Sequence, residues 1–195
     1  MNDFALETFV RELANQGRAT NIAVQHYNEA LHGPASVGAL EVSDRAFAAA
    51  QAILTSAALV SKMLWMSAPK PNPSEEDERQ AAQSKERCKT LRRELGIKSI
   101  PVLESRRVRN SFEHFDAHLD TFFGDSPNTT VADRNIGPKD MIVIAGAPPR
   151  YLRHLDPERH EVSVLSETVS LLEVVQAVEE VAGKANAWLS ARGRR

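Results

Sequence analysis

Apolar residues return every three to four positions through most of this chain, and that rhythm decides its fold class. From about Asp3 to Leu31, the residues Leu6, Phe9, Val10, Leu13, Gly17, Thr20, Val24, Tyr27 and Leu31 fall on one helical stripe. Gly17 weakens the middle without breaking it, and Gly33-Pro34 stops it. A second helix is expected from Ser43, an N-cap residue followed by Asp44. Its inward face is Phe47, Ala50, Leu54, Ala57, Ala58, Ser61, Leu64 and Trp65, and the run Pro69 to Pro73 ends it in a stiff linker.

The third helix, about Ser74 to Leu95, opens on Ser74 and Asp77, a capping box with Asp in place of Glu. Its charges are sorted along the axis. Glu75, Glu76, Asp77 and Glu78 lead and Lys89, Arg92 and Arg93 close, which complements the helix dipole. A fourth helix is expected from Ser99-Ile100-Pro101 through Phe123, with Val108, Phe112, Phe115, Leu119 and Phe122 as its packing stripe and Gly124 as its end. Residues Asp125 to Asp140 show no period and read as a loop, followed by the short apolar run Met141 to Ala145. Tyr151–Leu155 and Glu161–Leu165 flank Asp156-Pro157-Glu158-Arg159, a turn signal between two strands. A last helix starts at Ser170, capped with Glu173, and keeps a strong stripe from Leu171 to Leu189.

The expected fold is therefore mainly α: an antiparallel bundle of about five helices with a small C-terminal β-hairpin element. Within one compact domain we expect a helical bundle over 1–124, a loop and hairpin insertion over 125–169, and a C-terminal helix over 170–195 that packs on the bundle. At 195 residues such a core needs no staples. The single cysteine, Cys88, forms no internal disulfide and no Cys-rich zinc site, which points to a reducing, cytoplasmic setting. The alanine-rich stretch Ala46 to Met66 is interrupted by Gln51, Ser61 and Lys62, so it reads as a buried helix and not a membrane span. The net charge of -2 neither demands nor excludes nucleic acid.

Chemistry concentrates on the fourth helix: Arg106, Arg107, Arg109, Asn110, Glu113, His114, Asp116 and His118. On one straight helix Asn110, His114 and His118 share an edge, and Arg109 and Glu113 share another. Arg109 and His114 then stand roughly 140° apart around the axis, so they meet around a ligand or across a two-fold axis. Histidine moves protons near neutral pH, and the arginine fork holds phosphate oxygens. That pair suits metal-free RNA cleavage, in which a 2′-hydroxyl attacks the adjacent phosphate.

Arg109-Asn110-Ser111-Phe112-Glu113-His114 resembles the motif of the HEPN superfamily, an arginine and a polar residue, then three residues, then histidine. The resemblance covers mainly the second to fourth helices. It implies a small helical bundle that pairs as a homodimer, with two copies of the motif in one cleft. It implies a metal-independent endoribonuclease in toxin–antitoxin, phage-defence or RNA-processing roles, with RNA as substrate, no cofactor, and an antitoxin or nucleotidyltransferase as partner. Arg109 and His114 carry over as catalytic and Asn110 as polar support, while Arg106, Glu113 and His118 are the neighbouring polar residues that would assist. The hairpin and last helix lie outside the family core and read as additions. The alternative is a non-catalytic nucleotide-binding or protein-interaction module.

Simpler roles exist for the same residues. Arg109 and Glu113 have the spacing of an i,i+4 ion pair, and His114 has carboxylates beside it in Glu113 and Asp116. His114-x-x-x-His118 has zinc-ligand spacing, but a third ligand would have to come from Asp116, His154 or His160, so no metal site is expected. His26, His32, His154 and His160 otherwise read as surface or core-edge residues.

Overall fold

A computed structural model describes residues 1–33, 38–66, 71–105, 115–124, 130–144, 146, 149–165 and 167–193. Among them the chain is mainly helical. In order, the elements are α1 (Asp3–His32), α2 (Ala39–Leu64), α3 (Glu75–Glu94), α4 (Pro101–Glu104) and α5 (Phe115–Gly124). Six short strands follow: β1 (Val131–Ala132), β2 (Asn135–Ile136), β3 (Arg150–Tyr151), β4 (Arg153–Asp156), β5 (Glu161–Val164) and β6 (Glu167–Ser170). The last element is α6 (Leu171–Arg192).

Local chemistry explains most helix ends. Asn2 caps α1 by accepting from Ala5 N–H at 2.8 Å. Ser74 and Asp77 form the reciprocal box that opens α3, at 3.2 and 3.1 Å. That helix ends in a Schellman motif. Gly96 sits at φ +59, Gly96 N–H donates to Arg93 O, and Ile97 N–H donates to Arg92 O. Ser170 accepts from Glu173 N–H at the start of α6.

Two boundaries differ from the sequence reading. The second helix begins at Ala39, with Gly38 as its N-cap, and not at Ser43. Ser43 and Asp44 face the strand region instead. Ser43 Oγ donates to Arg134 O at 2.8 Å and Asp44 pairs with the Arg134 guanidinium. The second difference is larger. The fourth helix is not continuous from Ser99 to Phe123, because α4 stops at Glu104 and Ser105 is extended at φ -66, ψ 124. Leu103 is anchored in the core at 2% exposure, and a serine adds little helix propensity to carry the turn onward.

The core lies between α1, α2 and α6. Val10, Leu13, Val60, Leu64, Val178, Val181 and Ala185 are fully buried there, with Leu91 from α3 and Leu103 from α4. Gly17 is required by this packing: a β-carbon on it would collide with Ala182 Cβ, so the glycine lets α1 and α6 approach closely. The last helix is thus central to the core and no addition to it.

Among the described residues α2 is the one helix long and apolar enough to cross a membrane, with a mean hydropathy of 1.4 over its most apolar window. Yet 61% of that window is buried inside the fold, since Ala46, Ala50, Ile53, Val60 and Leu64 face the neighbouring helices.

The strands form a four-stranded sheet in the order β2-β4-β5-β6 and a separate pair, β1 with β3. β2 runs parallel to β4, and the other two pairings in the larger sheet are antiparallel. Leu155 and Val162 carry this sheet onto the helical core. The region expected to be a plain loop thus holds β1 and β2, while Met141, Val143 and Ile144 are exposed at 56%, 61% and 43%.

Candidate functional site

Of the residues that carry the sequence motif, Arg106, Arg109, Asn110, Glu113 and His114 lie outside the described residues, and His118 falls in α5. The structure describes the chain on either side of the motif, up to Ser105 and from Phe115. On the upstream side Pro101 opens α4, Glu104 Oε1 accepts from Ile100 N–H at 3.0 Å, and Ser105 N–H donates to Pro101 O at 2.8 Å. Leu103 and Ile100 fix this turn in the main core. On the downstream side Phe122 is buried at 7% exposure. Arg150 of β3 holds it twice, by donating to the Phe122 carbonyl at 2.9 Å and by stacking its guanidinium 3.7 Å over the ring. Because α4 ends at Glu104, edges computed for one straight helix from Ser99 do not apply across Ser105.

Next to that upstream end is a pocket of about 180 Å³ between α2, α4, β6 and α6. Its apolar wall is Leu54, Ala57 and Ala58 of α2, Val102 and Leu103 of α4, with Val169 and Val174. Its polar members are Ser61, Ser105, Glu167 and Thr168. Ser61 is 3% exposed and its Oγ has no hydrogen-bond partner among the described residues. Such a buried orphan hydroxyl costs stability. The Thr168 hydroxyl is shared with Ser163 Oγ at 2.8 Å and approached by Lys139 Nζ at 3.4 Å.

A larger cavity of about 560 Å³ lies along α1 and α2, but it is an open groove lined mostly by Ala19, Ala23, Ala48, Ala49 and Ala52. His26, Glu29 and Arg45 are its polar residues, and Arg45 is taken up by Glu41 at 2.5 Å. Size favours the groove, whereas convergent polar groups favour the smaller pocket. Orientation in a ligand site comes from a few placed polar atoms.

The sheet contributes a polar cluster that the sequence did not reveal. His154 is not a surface or core-edge residue: it is fully buried on β4. Its ring lies 4.7 Å from that of Tyr151, and its cross-strand neighbour is Asn135. Neither imidazole nitrogen, nor Asn135 Nδ2, has a partner of proper geometry among the described residues. Burial, and then the charge of Lys139, push the His154 pKa down; the backbone of Gly137 and Pro138 and the Asp156 carboxylate oppose this only in part.

Asp156 itself accepts from the N–H groups of Glu158 and Arg159 at 3.1 Å, closing the β4–β5 turn. Burial and the nearby Asp156 charge raise the Tyr27 phenol above its ordinary value. At the edge of the sheet burial alone would raise Asp133, but its pairing with Arg153 and the neighbouring Arg134 outweighs burial and holds the carboxyl low. His26, His32 and His160 are exposed. Among the described residues no group of three His, Cys, Asp or Glu side chains converges as a metal site.

Comparison with known proteins found no matching family model, no matching curated protein and no matching solved structure.

Proposed function

We propose that this chain is a HEPN-like, metal-independent endoribonuclease acting as a homodimer, with Arg109 and His114 of both copies lining one cleft. The observation that carries the reading is the Arg109-Asn110-Ser111-Phe112-Glu113-His114 motif. Two features support it. The described residues on either side of the motif are fixed to different parts of the fold, Leu103 in the helical core and Phe122 under Arg150. A pocket with mixed walls is lined in part by Val102, Leu103 and Ser105, upstream of the motif in the chain. In this reading α1, α2, α3 and α6 form an antiparallel bundle and the turn at Asp156–Arg159 a β-hairpin.

The chemistry needs no bound metal. One His114 takes the 2′-hydroxyl proton as the 2′-oxygen bonds to phosphorus. The bond to the 5′-oxygen breaks, and that oxygen receives a proton from the other copy's His114. Arg109 holds the non-bridging oxygens as charge builds on them. Asn110 orients the phosphate or the imidazole, and Arg106, Glu113 and His118 assist at the cleft edge. Roles in a toxin–antitoxin pair, phage defence or RNA processing follow, with an antitoxin or nucleotidyltransferase as protein partner.

The test is cleavage of mixed single-stranded and structured RNA in EDTA. Wild type should cleave, and His114→Ala or Arg109→Ala should lose at least a hundredfold in rate while melting at the same temperature. A folded dimer of wild type that leaves RNA intact overturns the nuclease. The second reading, a non-catalytic interaction module, is favoured by the open alanine-lined groove on α1 and α2. It predicts partner binding with no change in RNA.

A further inference from the structure

We propose that the segment 137–141 is an acid-released strap over His154, shut while the imidazole is neutral and open once it is protonated. The device is independent of the nuclease reading. Sheet register sets its place. Asn135, His154, Ser163 and Thr168 are successive cross-strand partners on β2, β4, β5 and β6. Partners directly opposite in a ladder share a face, so these four form one polar row. Leu155, Val162 and Val169 form the next row, which packs on the helical core. The histidine row therefore faces away from the helices.

The strap lies over that row. After β2 the chain reverses at Gly137, whose φ of +130 favours glycine. It then closes a turn in which Met141 N–H donates to Pro138 O at 3.1 Å. Gly137 N–H donates to Leu155 O at 2.8 Å, Tyr151 Oη donates to Lys139 O at 2.9 Å, and Lys139 Nζ stands 3.4 Å from Thr168 Oγ1. Pro138, Lys139, Asp140 and Met141 are all exposed. A short exposed segment pinned by a few polar contacts belongs to the part of a fold that opens locally.

Beneath it His154 is fully buried, with the Tyr151 ring 4.7 Å away. Charged and titratable groups meet it from each side. Lys139 of the strap disfavours the imidazolium, and Asp156 of the same strand favours it. Glu161 of β5 stands opposite Asp156. The Tyr151 phenol, raised by burial and by Asp140, stays neutral at any mild pH. Burial and Lys139 outweigh Asp156 and the backbone of Gly137 and Pro138, so the shut state disfavours the proton. Opening hydrates the ring and moves Lys139 away, which returns the imidazole toward its ordinary 6.5. The advantage of the shut state is thus complete above 6.5 and is lost as pH falls through it toward the depressed value. A fully buried ring takes its proton from the open form, so acid selects that form.

The experiment is amide hydrogen exchange of the full chain by NMR, with intrinsic rates divided out, between pH 7 and 5.5 and in urea well below the unfolding midpoint. Protection of the Gly137 and Met141 amides should fall at least threefold over this range, within the roughly tenfold per pH unit that one proton allows. It should hardly respond to urea, because a local opening exposes little surface, whereas amides of α1 and α6 should respond strongly. Strap amides that share the urea dependence of α1 and α6 open only with the whole fold, and overturn the proposal.

His154→Gln should make strap protection independent of pH in this range. Tyr151→Phe should lower protection equally at every pH and leave the pH response intact. Lys139→Gln, at an exposed position, removes a charge that opposes protonation, so the total change with pH should shrink. This variant decides the matter if His154→Gln does not fold. A pH response that persists in His154→Gln, or one unaltered by Lys139→Gln, overturns the strap.

Discussion

His154 shows how one side chain can set a pH response. The imidazole is buried without proper partners, so the folded state favours its neutral form. The unfolded chain titrates near the ordinary value of 6.5 and binds more protons than the native state below it. The stability His154 contributes is therefore complete above that value. It is lost as pH falls through 6.5 toward the depressed folded-state value. We expect the melting temperature to fall between pH 7 and 5.5, and the fall to flatten in His154→Leu. An unchanged slope in the variant would place the acid sensitivity elsewhere.

Asp133 acts in the same direction at lower pH: its carboxyl is held below 3.8, so its contribution is lost only under stronger acid. Little of this was legible in the letters. A half-buried strand alternates, but β4 buries His154, Leu155 and Asp156 in succession, and so gives no sign that the histidine points inward.

At the scale of elements, legibility followed length. The apolar stripes of α1, α2 and α6 repeat over many turns, and the caps of α3 and α6 are written in Ser74 and Ser170. Strands of two residues such as β1, β2 and β3 have no period to read. The break at Ser105 was hidden because the docking of Leu103 weighs more in it than local preference does. The motif was legible only as a set of residue types, since its geometry depends on that break.

Helix packing yields a paired test. Gly17→Ala should destabilise by about 1–3 kcal/mol, because the added methyl collides with Ala182 where α1 crosses α6. Gly183→Ala, one residue from that crossing but with open space around it, should stabilise by about 0.5–1 kcal/mol through helix propensity. Urea melts of both variants decide it. Equal effects at the two glycines would contradict the close crossing.

For the whole molecule, the first and last helices share one core. Val10 and Leu13 of α1 and Val178, Val181 and Ala185 of α6 belong to a single cluster. Ending the chain at Ser170 should therefore expose the apolar faces of α1 and α2 and abolish cooperative melting, read by calorimetry and dye binding. A truncated chain that still melts sharply would show that 1–170 folds without α6.

This arrangement has a consequence for synthesis. Roughly 140 residues separate the end of α1 from the start of α6, and ribosomes add about 5–20 residues per second. The sticky face of α1 therefore waits on the order of 10 s for its partner. In that interval it is a natural client for chaperones, and translation speed through the strand region becomes a determinant of yield.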